Sequence, residues 1–116
     1  MASKINPTLA KSLIKEFQEH NEAADGMGLK TPEGNHVHGY FMDRESIESI
    51  LSDPNVAGIS LYHAKHPDHA GSPNKVFTLA YTGAEPNTEA NAKTPYLNKQ
   101  EVYTTPVCPP YCGNLG

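Results

Sequence analysis

Apolar and polar positions alternate with two different periods along this chain, and the changes of period mark its elements. Between Pro7 and Ala24 the period is helical. At about 100° per residue, Leu9, Leu13, Phe17 and Ala24 share an arc of ~80°, and Ala10 and Ile14 widen it to ~140°. Lys11, Lys15, Glu16, Gln18, Glu19 and Glu22 take the other side. Asn6 is a good N-cap and Pro7 suits the first helical position, while Gly26 can adopt the left-handed conformation that closes a helix. The pattern predicts a helix over Pro7 to Ala24 with the Leu9, Leu13 and Phe17 face on a core.

Residues 25–36 are turn chemistry (DGMGLKTPEGNH), and His36 to Met42 reads as a short strand with Val37 and Phe41 inward and His36, His38 and Tyr40 opposite. Asp43 caps a second predicted helix, Arg44 to Ser52, in which Ile47, Ile50 and Leu51 share a side, and Asp53-Pro54 ends it. Val56 to His63 alternates, with Ala57, Ile59, Leu61 and His63 on one face. Lys75 to Thr82 does the same with Phe77, Leu79 and Tyr81 inward and Thr78, Ala80 and Thr82 outward. The twelve residues between these strands show no helical pattern, so the pairing is expected to be antiparallel. A hairpin loop of that length is more often functional than a short one.

Composition adds a boundary. Leu, Ile, Val and Phe number 21 of 116 residues, and only Leu97, Val102, Val107 and Leu115 of these fall after Gly83, where five of the ten prolines also lie. The expected organisation is an α+β core domain over 1–83 and an extended arm over 84–116 that ends in CPPYCG. A chain of 116 residues is one domain's worth, too short for a TIM barrel or a six-stranded dinucleotide fold. Thirteen acidic against nine basic residues give a formal charge of −4, which argues against a nucleic-acid partner. The opening MASKINPTLAKSLIKEF lacks the apolar run of a signal peptide, and no window approaches the roughly 18 apolar residues of a membrane span. The reading is a cytoplasmic protein without a membrane partner, in which two cysteines are expected as thiols and not as a bridge.

Gly39 to Phe41, the helix ending at Asp53-Pro54, the strands GISLYHAK and FTLAYTG, and the terminal CPPYCG together resemble a family of small uncharacterised bacterial proteins with a G-I-x-x-Y strand and a C-P-P-x-C ending. That resemblance implies an α+β fold over most of the chain. It brings no established activity, so no catalytic residue is carried over.

Three groups of side chains are candidates for chemistry or contact. Cys108 and Cys112 are spaced one residue wider than a redox dithiol, and a terminal proline-rich segment supplies no helix N-terminus for one. Thiolates at that spacing can share a zinc ion if two further ligands come from elsewhere; His36 and His38, expected on one side of a strand, are the candidates. The plainer alternative is a tail with free or mutually bridged cysteines and two solvent-facing histidines. His63, His66 and His69, with Asp68, form a second candidate set for zinc or nickel, although His63 alternates onto an apolar face where a histidine is usually structural. Tyr96, Tyr103 and Tyr111 lie beside prolines, an arrangement suited to docking on a neighbour or to packing on the chain's own body. No G-x-S-x-G elbow or GxxxxGK phosphate loop occurs.

The fold expectation is therefore a small antiparallel sheet of two to four strands covered by two helices, with an extended C-terminal arm. The leading functional expectation is a non-catalytic binding or self-association module, a homo-oligomer because so small a sheet has edges to cover. The alternative is a zinc-type metal-binding protein. An enzyme of unknown reaction is third, with the His63 to His69 loop as its site.

Overall fold

The computed structural model describes residues 2–89 and 93–115. Among these are two helices, α1 (Pro7–Glu22) and α2 (Arg44–Leu51), and six strands: β1 (Gly39–Tyr40), β2 (Gly58–Lys65), β3 (Phe77–Pro86), β4 (Tyr96–Asn98), β5 (Tyr103–Thr104) and β6 (Val107–Cys108). The fold is α+β, with antiparallel sheets of two and four strands. No helix among the described residues is long and apolar enough to cross a membrane. Contacts divide the chain into two compact units, one of Met1–Phe41, Lys65–Phe77 and Pro106–Gly116, the other of Met42–Ala64 and Thr78–Thr105.

In the first unit, the Asn6 side chain accepts from the Leu9 N–H at 2.8 Å, the expected cap of α1. The helix ends at Glu22, and the Ala23 N–H still reaches the Glu19 carbonyl. Gly26 is not left-handed as expected; it is required because a Cβ there would stand 1.9 Å from the His20 carbonyl oxygen. β1 pairs with β6, Gly39 opposite Cys108 and Tyr40 opposite Val107. His36 lies outside that strand, in a bridge to Lys30, which also bridges Val76. Val37, Val76, Val107 and Cys108 are buried here.

The inward face of α1 differs from expectation. Leu9, Leu13 and Phe17 are 44%, 49% and 40% exposed, and Ala10, Ile14 and Gln18 are the half-buried positions leading to buried Asn21. The reason is the Asn21 carboxamide, which accepts from the Leu29 N–H at 2.7 Å and donates to the Leu29 carbonyl at 3.0 Å. These directional bonds, in a buried place, fix the rotation of the helix about its axis, whereas apolar burial is non-directional.

In the second unit, Asp43 caps α2 through the Ser46 N–H at 2.9 Å. The four-stranded sheet has the order β2-β3-β4, with β5 also on β3. β2 is thus an edge strand, and the expected alternation is not observed: Leu61, Tyr62 and His63 are all exposed. On β3 both faces are covered, since Tyr81 is buried together with Thr78 and Thr82, the residues expected outward. Gly83 is buried under α2 and its neighbours; a Cβ there would meet Ile50 Cγ2 at 3.0 Å and Val56 Cγ2 at 3.1 Å.

The boundary expected at Gly83 falls inside β3, and β4, β5 and β6 from the segment expected as an arm pair with strands that begin before it. β4 pairs with β3 through Ala84↔Asn98, and β5 through Tyr81↔Tyr103. From Tyr81 to Ala84 is three steps, against five from Asn98 to Tyr103, so two extra residues bulge between the two ladders. The Thr82 hydroxyl spans the bulge with its single proton shared between the Glu101 carbonyl at 2.7 Å, the nearer acceptor, and the Lys99 carbonyl at 3.1 Å. Further along, the Thr78 hydroxyl donates to the Thr105 carbonyl at 3.2 Å. The arm is bound chiefly through backbone groups and threonine hydroxyls, which a count of large apolar side chains does not register.

Candidate functional site

The ladder between β1 and β6 builds the first site. The His38 N–H donates to the Cys108 carbonyl at 2.6 Å, which holds His38 beside Cys108. Beyond β6 the chain folds back, with the Tyr111 N–H on the Val107 carbonyl at 3.1 Å and the Cys112 N–H on the Pro110 carbonyl at 2.9 Å. This turn brings the Cα atoms of Cys108 and Cys112 to 4.8 Å, and the two are joined as a disulfide. The expectation of free thiols is corrected accordingly: the fold-back places both sulfurs at bridging distance. A ligand atom of His38 and both sulfurs lie within 4.8 Å of one another, with His38 half-buried, Cys108 buried and Cys112 exposed.

His36 is not part of this cluster. Its Nε2 stands 3.2 Å from Lys30 Nζ. With the ammonium donating, the ring proton sits on Nδ1, which is buried without a hydrogen-bond partner among the described residues. The His36 Nε2 is thereby taken by Lys30, away from the group formed by His38 and the two cysteines. The expected four-residue set is reduced to three because His38, next to β1, is bonded to the Cys108 carbonyl, whereas His36, two residues earlier, is paired with Lys30 instead.

The histidines of the β2–β3 connection are arranged differently. His66 and His69 meet edge to face with ring centroids 5.6 Å apart, and His66 Nδ1 accepts from the Asp68 N–H at 3.2 Å, capping a 3-10 turn over Pro67–His69. His66 therefore has a local structural task. His63 stands on β2 in the other unit, exposed.

The tyrosines also separate. Tyr103 stacks on Tyr81 at 5.5 Å between centroids and 24° between planes, so its ring packs within its own unit. Tyr111 stacks on Phe41 at 6.1 Å while remaining exposed, and Tyr96 is exposed on β4.

A cleft of ≈ 300 Å³ in the second unit, lined in part by Ser49, Ile50, Val56 and Gly83, was not apparent in the sequence. At its wall Lys99 Nζ bonds Glu85 Oε2 at 2.8 Å and Asp53 Oδ2 at 3.0 Å. The Asn55 N–H, and after it Lys99, hold the Asp53 carboxyl below the ordinary aspartate range, while Glu85 and Asp53 raise the Lys99 ammonium above the usual lysine value. The bonds to the Ser46 N–H and hydroxyl lower Asp43 in the same way. A depressed carboxyl stabilises the fold above its unfolded pKa, and the contribution is lost as the pH falls through the folded value. The raised lysine contributes below its unfolded pKa, and this is lost as the pH rises through its folded value. The expected result is a thermal unfolding midpoint that drops on acidification below about pH 4. Asp53→Asn should flatten part of that slope, as melts between pH 2.5 and 6 will show.

The most extensive feature of the first unit is the outer face of α1. Leu9, Leu13 and Phe17, spaced four residues apart on it, are 44%, 49% and 40% exposed, and Ile5, just before the helix, is 52% exposed. Lys4, Lys11 and Lys15 occupy the half of this segment toward the N-terminus; Glu16, Glu19, Glu22 and Asp25 occupy the other. No protein-family model, curated protein or solved structure matches the chain.

Proposed function

We propose that this chain is a non-catalytic self-association module, and that the outer face of α1 joins two copies. The observation that carries the reading is the row Leu9, Leu13 and Phe17 on α1, left half in water with exposed Ile5 just ahead of the helix. Single exposed apolar residues are ordinary on a protein surface, but a row along one helical face is a binding surface by its spacing.

Charge selects the occupant and its direction. The segment carries its lysines toward the positive end of the helix dipole and its glutamates toward the negative end, an unfavourable distribution in an isolated helix. A second copy running antiparallel brings the acidic half of one helix against the basic half of the other. A two-fold axis satisfies this arrangement with one surface. A parallel arrangement would oppose like charges.

In light scattering at micromolar concentration the chain is expected to have the mass of a dimer. Leu13→Glu should raise the dissociation constant by at least about 100-fold, since the two-fold repeats the loss of roughly 1.5–3 kcal/mol of apolar burial in each copy. Its far-ultraviolet circular dichroism should be unchanged because Leu13 is already half in water. Tyr96→Ser should leave the mass as it is. A monomeric wild-type chain, or a Leu13→Glu variant that still dimerises normally, overturns the proposal.

A further inference from the structure

We propose that His38, Cys108 and Cys112 form a zinc-type site of the reduced chain, so that metal binding and the Cys108–Cys112 disulfide exclude one another. The proposal goes beyond self-association and does not rest on it.

The backbone places the ligands. β6 is held to β1 by its register and by the 2.6 Å bond from the His38 N–H to the Cys108 carbonyl. The return turn is held by the bonds from the Tyr111 and Cys112 N–H groups. None of these bonds involves sulfur, so the three side chains stay neighbours when the disulfide is opened. Their ligand atoms already lie within 4.8 Å of one another. Around one tetrahedral ion, with metal–sulfur distances near 2.3 Å and metal–nitrogen distances near 2.0 Å, ligand atoms are separated by roughly 3.3–3.8 Å. Side-chain rotation covers the difference. Val37, adjacent to His38 in sequence, is buried, and His38 itself is half-buried. Cys112 is exposed and gives the ion its route in and leaves the fourth position to water.

The chemistry balances with a dithiol as reductant. Two electrons from the dithiol break the sulfur–sulfur bond, giving two protein thiols and the oxidised dithiol as a cyclic disulfide. A divalent ion then displaces the two thiol protons and takes a nitrogen of neutral His38. In reverse, an exogenous disulfide accepts two electrons from the two thiolates; the protein disulfide re-forms, the exogenous disulfide becomes two thiolates that take two protons from water, and the ion is released. Two charged sulfurs and an imidazole suit zinc or a similar borderline cation and not magnesium or calcium, which take oxygen ligands.

Cobalt(II) is the probe, added anaerobically to the full chain after reduction by a dithiol that is then removed. The expected result is one cobalt per reduced chain with thiolate-to-cobalt charge-transfer absorption, displaced by zinc, and none in the oxidised chain. Oxidised glutathione should abolish the absorption. His38→Ala should weaken binding by at least about 10-fold, Cys112→Ser, at an exposed position, should remove the two-thiolate spectrum, and His36→Ala should change neither. Failure of the reduced chain to bind cobalt, equal binding by the oxidised chain, or equal losses from His36→Ala and His38→Ala would each overturn the site. The mass of the chain in solution reports separately on self-association.

Discussion

Replacing Tyr81 by alanine is expected to cost about 4 kcal/mol and to lower the thermal midpoint by on the order of 15 °C. Tyr81 is the largest side chain in the described residues that is almost wholly withdrawn from water, 1% exposed. It sits on β3, which has β2 as a neighbour on the path to β4 and also pairs with β5. Its ring lies on that of Tyr103 from β5, and Ala80 and Tyr81 are the residues that pair with Thr104 and Tyr103. Truncation therefore removes core volume and also one half of the contact that fastens residues 103–104 to the sheet. A double-mutant cycle with Tyr103→Ala should give a coupling of about 1 kcal/mol. Additive single losses would mean that the stacked rings do not support each other. Chemical denaturation of the four variants is the measurement.

The second large loss is expected at Asn21. Asn21→Ala leaves the Leu29 N–H without its acceptor and the Leu29 carbonyl with only the Val37 N–H at 3.1 Å, about 2 kcal/mol from the lost hydrogen bonds and the desolvation of the orphaned amide. The alternative carboxylate is no remedy. Asn21→Asp keeps an acceptor for the N–H but faces the Leu29 carbonyl with no donor and places a charge in a buried position. Both variants should raise the amide hydrogen-exchange rate of Leu29 more than that of residues on β3. Unchanged exchange at Leu29 would show that its amide is protected by something other than the Asn21 side chain.

Asn21 also shows where sequence reasoning stops. By periodicity it is one more polar residue at the edge of an amphipathic helix, and the apolar arc points to Leu9, Leu13 and Phe17 as the buried face. In the structure the Asn21 carboxamide is the buried anchor of α1, and Leu9, Leu13 and Phe17 are left outside while Ala10 and Ile14, at the edge of the predicted arc, turn inward. The error is informative, because it turns the strongest periodic signal in the chain into the surface that self-association is proposed to use. On α2 the same kind of periodicity is more faithful: Ile50 is buried against Gly83, although Leu51 is exposed.

The candidate site was legible in part. The histidine and cysteines that converge were all named by the spacing of His36, His38, Cys108 and Cys112, but His36 was included on the assumption of a strand long enough to carry both imidazoles on one side. The strand is Gly39–Tyr40 and contains neither histidine; the Cys108 carbonyl holds His38, and Lys30 holds His36. The Asp53–Lys99–Glu85 bridge had no signal at all in the sequence. Its members are 46 and 14 positions apart from Lys99 and meet because the bulge between β4 and β5 turns Lys99 toward the end of α2.

Local chemistry in the sequence by itself determined the two helices and their caps at Asn6 and Asp43, the β2 and β3 strands to within a few residues, and the α+β class. Those features depend on neighbours within a turn or on a period repeated over six or more residues. Only the tertiary structure decided that β4, β5 and β6 complete two sheets, which face of α1 turns inward, and that Cys108 comes to Cys112 beside His38. Each of these rests on a few directional bonds: threonine hydroxyls to distant carbonyls, one buried carboxamide, and a two-residue ladder. Such bonds join positions far apart in sequence and leave no periodic trace, because a single donor meeting a single acceptor is enough to make them.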